Sequence, residues 1–405
     1  MTTPLFSPKL SLNFLSGSLD PRITFTRAGN TATVTNADGS ISLVNADTAR
    51  FNYSNGVLQG LLIEETRTNS VTNSLLSGAV IGSPGTPPTS WLVFFAGTTY
   101  GIAAIESASY AAGSKLTTTS SAGRTILGRA LPVLANTTYT YSLDCQVVSG
   151  TNPILQIINI STPLAGSTVS YFVNGVSQSG SSILPVGSHK LAIVYAIGAT
   201  AGNAEIRFGV GVSSNTTGSA KFSNVQFEQG AFPTSYIPTT TTALTRNADV
   251  AVMTGTNFSD WWQAGKGGAQ VQAIPSTVSG IRPLVQYDDG TANEIIALRG
   301  NTTNPELYVV DGGTPQAQLD AGTIAVSTSY SLTGWWNTND CKARKDSGTV
   351  VTDDTATIPT VTQARLGSDG TNYLNGHLAT VNYYDSFFGQ SIYTRRKNKV
   401  IFSLL

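Results

Sequence analysis

Apolar and polar residues alternate along much of this chain. The runs Ile23-Thr-Phe-Thr, Thr138-Tyr-Thr-Tyr-Ser-Leu, Ala204-Glu-Ile-Arg-Phe-Gly-Val-Gly-Val and Lys221-Phe-Ser-Asn-Val-Gln-Phe show it most clearly. Each sends apolar side chains to one face and polar ones to the other, as a half-buried strand requires. Asp38-Gly39, Asn55-Gly56, Asn174-Gly175, Asp289-Gly290 and Asp369-Gly370 fall between runs and read as turns. Helical spacing is scarce. The one helix candidate is the end, Gln390-Ser-Ile-Tyr-Thr-Arg-Arg-Lys-Asn-Lys-Val-Ile-Phe. The pattern predicts an all-β chain of tandem antiparallel β-sandwiches.

Length and local composition divide it. A chain of 405 residues exceeds one ordinary sandwich. Residues 1–72 carry hairpin signals and the apolar strand Gly60-Leu-Leu-Ile. They read as a small N-terminal β module. Residues 73–240 read as one sandwich, whose acids are only Glu106, Asp144, Glu205 and Glu228. The polar run from Pro238 to Thr245 reads as a joint. Residues 247–405 read as a second sandwich with the C-terminal helix.

Charged residues make up 11% of the chain and the net charge is +0. The surface is therefore solvated mostly by hydroxyls and amides. Nothing in the charge balance marks a nucleic-acid partner. The basic group Arg395, Arg396, Lys397 and Lys399 reads as the wet face of the terminal helix. The start lacks the pattern of a signal peptide, and no apolar stretch is long enough to span a membrane. The expectation is synthesis in the cytoplasm and no membrane insertion. Cys145 and Cys341 lie too far apart to suggest a disulfide framework and read as small buried residues.

Candidate chemistry is thin. His189 and His377 are the two histidines, and neither belongs to a metal-ligand motif. Acid pairs for glycoside cleavage could come from Asp288, Asp289 and Glu294, or from Asp353 and Asp354. Both Asp pairs adjoin turn residues, where Asp is common for backbone reasons. Asp288-Asp-Gly-Thr-Ala-Asn-Glu is a weak calcium candidate through Asp288 and Asp289, because it departs from the usual loop pattern. No other cofactor is expected. Trp261-Trp262 and Trp335-Trp336, with Asn337, are the carbohydrate-binding candidates. A strand would turn one ring of each pair inward and the other outward. The outward ring would serve as a sugar platform or an interface anchor.

Three segments resemble a family of bacteriophage tail-fibre and head-fibre proteins. The first is Phe25-Thr-Arg-Ala-Gly-Asn-Thr-Ala-Thr-Val-Thr-Asn-Ala-Asp-Gly, with Ala49-Arg-Phe-Asn-Tyr and Gly60-Leu-Leu-Ile-Glu-Glu-Thr-Arg-Thr-Asn. The second is Phe227-Glu-Gln-Gly-Ala-Phe-Pro-Thr-Ser-Tyr-Ile-Pro-Thr, running on to Thr245-Arg-Asn-Ala-Asp. The third is Arg365-Leu-Gly-Ser-Asp-Gly, with Leu374-Asn-Gly-His-Leu. The resemblance implies a carbohydrate-binding-module-like jelly roll followed by a concanavalin-A-like lectin sandwich. It also implies a virion location and homotrimeric assembly, and it does not imply catalysis. By analogy with such appendages, the N-terminal module over residues 1–72 is the expected attachment end, and the expected partners are other virion proteins of capsid, portal-neck or tail, and host cell-surface glycan. A structural decoration of capsid or tail is the second reading. A polysaccharide-degrading enzyme ranks last. In the motifs themselves, Glu64, Glu65 and Arg67 read as an ion pair that fixes a strand's exit. The aromatics of the second motif read as closing a domain.

Overall fold

The computed structural model describes residues 7–83, 85–96, 101–120, 125–150, 158–160, 164–180, 184–210 and 218–385. The expected C-terminal helix and its basic group lie outside the described residues. Strands account for 55% of the chain and helix for 2%. The alternation therefore predicted the fold class correctly, and every strand pairing within the sheets is antiparallel.

Two compact units form, and neither is one continuous stretch. The first unit comprises residues 1–27, 46–65 and 248–405, and the second 28–45 and 66–247. This corrects the expected module over residues 1–72, whose residues are shared between the two units. Strand pairing explains the division. Leu10–Asn13 and Val57–Ile63 both pair with Gly376–Tyr384 in the first unit. Arg67–Asn69 pairs with Leu244–Arg246 in the second. Short N-terminal strands cannot bury their apolar faces alone, so they join larger sheets.

The first unit is a sandwich of two sheets. The eight-stranded sheet runs Val351–Asp353, Cys341–Lys345, Tyr330–Asn337, Lys266–Pro275, Gly376–Tyr384, Val57–Ile63 and Arg50–Ser54, with Leu10–Asn13 added on Gly376–Tyr384. The seven-stranded sheet runs Thr24–Thr26, Val250–Thr254, Gln363–Leu366, Ile281–Asp288, Ile295–Asn301, Asn304–Asp311 and Thr314–Asp320. Val271, Leu332, Trp336 and Val381 from the former share a core with Tyr287, Ile296, Leu307 and Leu366 from the latter. Inward residues alternate with outward ones, so each strand offers one apolar edge to this core.

Motif residues hold the segments of this unit together. Asp249 accepts hydrogen bonds from Arg27 Nη1 at 3.0 Å and from the backbone N of Glu64 at 2.9 Å. It also pairs with Arg50, whose Nη2 lies 2.8 Å from Glu64 Oε2. Arg27, Arg50 and Asp249 are buried. Burial works against the Arg50 charge, but Asp249 and Glu64 outweigh it and raise its pKa. The expected partner of Glu64 was Arg67. The geometry gives Glu64 to Arg50 instead, while Arg67 lies in the second unit over the ring of Phe232, 4.8 Å from its centroid.

Glycine fixes the strand crossing beside this network. A Cβ on Gly60 would lie 2.1 Å from the carbonyl oxygen of Leu378, and its φ of 113° is one that L side chains rarely adopt. Only a residue without a side chain fits.

In the second unit, a seven-stranded sheet from Gly101–Ser107 to Val176–Gln178 and a four-stranded sheet enclose a separate core. That core includes Tyr141, Ile193, Tyr195, Ile206, Phe208, Phe222 and Phe227. The second motif closes this unit. Glu228 accepts from Thr234 N at 2.8 Å, Thr234 Oγ1 at 2.7 Å and Gln226 Nε2 at 2.8 Å. Gln226 Oε1 in turn accepts from Ile237 N at 2.7 Å. The loop after the strand Gly218–Gln229 is thus tied back to it, and the motif's aromatics Phe227 and Tyr236 are buried.

Cys145 and Cys341 are both buried and free, one in each unit. Burial pushes both thiols up, Cys341 to about 11. Thiols held protonated are poor nucleophiles.

Candidate functional site

The tryptophan pairs do not present open rings. Trp261 and Trp262 follow the short helix Thr256–Ser259 and lie outside any strand, so strand alternation does not separate them. Both turn into one aromatic cluster. Trp262 stacks on Tyr383 at 5.1 Å and on Trp336 at 5.9 Å, and Trp261 meets Tyr383 edge-on at 5.0 Å. Tyr287 from the facing sheet lies 4.7 Å from Trp262. Trp261 is 6% exposed and Trp336 is fully buried, while Trp262 is half-buried. Gly267 makes room for the rings, since a Cβ there would lie 2.8 Å from Tyr383 Oη. The cluster fills one region of the first unit's core, where edge-on and stacked rings pack densely.

Trp335 and Trp336 do alternate as expected. Trp336 faces inward and Trp335 outward, but Trp335 is only 8% exposed. Its Cδ1 lies 2.7 Å from where a Cβ of Gly268 would stand, and Arg344 approaches its ring at 5.9 Å. The exposed platform expected from this pair is therefore absent at Trp335. Asn337 is exposed at the strand end, and its carbonyl accepts from Asp340 N at 2.9 Å.

The calcium candidates have other occupations. Asp288 is 1% exposed and accepts from Gln286 Nε2 at 2.9 Å, Gly290 N at 2.8 Å, Arg365 Nε at 3.0 Å and Gln363. Asp289 is fully exposed and accepts from Thr291 N at 2.8 Å and Thr291 Oγ1 at 2.7 Å, an Asx turn that lowers its pKa. A carboxylate neutralised by a guanidinium and one pledged to its own turn do not form a cation cage. Among the described residues, no group of three or more His, Cys, Asp and Glu is arranged to hold a metal.

The other acids behave alike. Asp353 accepts from Thr355 N and Oγ1, each at 2.9 Å, and Glu294 accepts from Gly312 N at 3.0 Å. His377 lies 3.4 Å from Asn52 Nδ2, and burial lowers its pKa to about 4. His189 approaches the Pro185 carbonyl at 2.9 Å.

One polar arrangement escaped the sequence reading. The outward side of the first unit's seven-stranded sheet carries Gln318, Tyr308, Ala297, Gln286, Arg365 and Val252 in one row across six strands. Next to it, Arg299 Nε donates to Glu306 Oε1 at 2.8 Å, and Gln318 Nε2 donates to Glu306 Oε2 at 3.0 Å. The Arg299 guanidinium lies 3.6 Å from the centroid of the Tyr308 ring. With the Arg365–Asp288 pair, two carboxylates on this face have an arginine each, while exposed Asp320, opposite Glu306, accepts from Asn304 Nδ2 at 2.6 Å and Gly322 N at 2.8 Å. The alternation marked these residues as outward. Nothing local to any one strand showed that they stand side by side.

Neither the protein-family models nor the curated proteins searched contain a match to this chain.

Proposed function

We propose that this chain is a non-enzymatic structural protein of a bacteriophage particle, a fibre or spike appendage of tail or head that meets host surface glycan. Its units are read as a jelly roll of carbohydrate-binding-module type and a concanavalin-A-like sandwich, assembled as a homotrimer. The observation that carries the reading is the work of the motif residues. Arg27, Arg50, Glu64 and Asp249 tie the three segments of the first unit together. Glu228 and Gln226 close the second. Asp369 holds its own turn by accepting from Thr371 N at 2.8 Å and Asn372 N at 2.6 Å. Segments whose polar residues are spent on folding suit a building module better than a catalyst. A surface nearly free of net charge also suits close packing of subunits in a virion.

The attachment role once given to residues 1–72 changes with the fold. Residues 7–72 are shared between the two units, so the attachment surface is proposed to belong to a whole unit.

Gold-conjugated antibodies against the first unit test the location on intact particles. Label on tail fibres, tail tip or capsid supports the reading. Label on tail structures selects the receptor-contacting form, and label spread over the capsid selects decoration. Particles without label overturn it.

A further inference from the structure

The geometry points to the outward face of the first unit's seven-stranded sheet as a binding face for a neutral oligosaccharide. This deepens the glycan contact proposed above and supplies the surface that the tryptophan pairs do not.

Three features carry it. The first is shape. Strands lie about 4.8 Å apart, so the row from Gln318 to Val252 spans about 24 Å, room for several linked sugar rings. Ala297, in the middle of the row, is fully buried. The Arg299 guanidinium lies against the Tyr308 ring. The row is therefore low at Ala297, with the Tyr308 ring toward one end, one strand in from the edge.

The second feature is charge. Asp288 is matched by Arg365 and Glu306 by Arg299. Asp320, opposite Glu306, is exposed without a cation partner among the described residues, so the face carries no excess positive charge, which disfavours polyanions and leaves hydroxyls as the complementary groups. Sugar rings also bring C–H faces, which would meet the part of the half-buried Tyr308 ring that Arg299 does not cover.

The third feature is unspent hydrogen bonding. Both arginines use only Nε on their carboxylates. Their Nη atoms make no hydrogen bond among the described residues, and both side chains are partly exposed. Gln318 spends Nε2 on Glu306 and keeps its carbonyl as an acceptor. Donors and an acceptor already oriented by packed partners lose little freedom on binding.

Titration calorimetry on the purified full chain tests this, with maltotetraose, cellotetraose and chitotetraose as neutral probes and tetragalacturonate as the anionic one. At least one neutral probe is expected to bind. Tyr308→Ala is expected to weaken it at least about tenfold, as loss of an aromatic anchor does. Tyr308→Phe keeps the ring and is expected to bind within about threefold of the parent. Gln270→Ala, on the outward side of the other sheet, is expected to leave binding unchanged. Binding unaffected by Tyr308→Ala, binding of tetragalacturonate alone, or no binding of any neutral probe each overturns the inference. The particle location stands or falls separately, by gold labelling.

Discussion

Arg50 and Asp249 lie 199 positions apart in the chain and meet as a buried ion pair. Arg27 and Glu64 complete the group, so one carboxylate gathers residues from all three segments of the first unit. A buried pair is not in itself a gain over apolar packing, but removing one member strands the others in a dry site. Asp249→Ala is therefore expected to destabilise the first unit by about 3–5 kcal/mol. Tryptophan fluorescence during urea unfolding reports it, since Trp261, Trp262, Trp335 and Trp336 all belong to this unit.

His377 makes the same unit sensitive to acid. Its pKa falls from 6.5 to about 4, because burial and Arg50 oppose a charge that Glu64 favours. The unfolded chain takes up the proton first as pH drops, so stability is full above pH 6.5 and declines toward pH 4. The decline in this window is expected to be roughly 1–3 kcal/mol larger than in His377→Gln. Urea midpoints measured at pH 7, 5.5 and 4.5 for both proteins check it.

Gly60 has no substitute. In Gly60→Ala the new methyl group would meet the Leu378 carbonyl, and the backbone would hold a φ that alanine resists. A loss above about 1 kcal/mol is expected, with the pairing of Gly376–Tyr384 and Val57–Ile63 weakened first. Amide hydrogen exchange at residues 61–63 would show that local loosening.

Glu228→Ala is expected to cost the second unit about 1–3 kcal/mol, because it orphans the buried donors of Thr234 and Gln226. Limited proteolysis should then cut between residues 230 and 237, where the parent resists.

Calcium should leave the protein unmoved. Asp288 already has Arg365, and Asp289 serves its own turn. Adding millimolar calcium or a chelator is expected to shift Tm by less than about 1 °C, because only binding preferential to the folded state shifts it. A concentration-dependent rise in Tm would contradict this assignment.

Strands and hairpins were legible because their signals are local. Asn55-Gly56 and Asn174-Gly175 form the turns they spell, with φ positive at all four residues. The interleaving was not legible. Leu10 pairs with Tyr383, and no pattern within either strand names a partner that distant. Trp261-Trp262 misled because the four-residue helix before it carries no helical stripe, so the segment read as strand. The outward polar face failed for a related reason. Tyr308, Ala297 and Gln286 become neighbours only through register between strands, which the core and the turns set together.

The most direct test of the proposed virion role is quantitative mass spectrometry of phage particles banded twice in a density gradient. The account predicts peptides from both units in the particle band, in constant ratio to the major capsid protein across fractions. Peptides confined to the soluble lysate, with none tracking the particles, would contradict it.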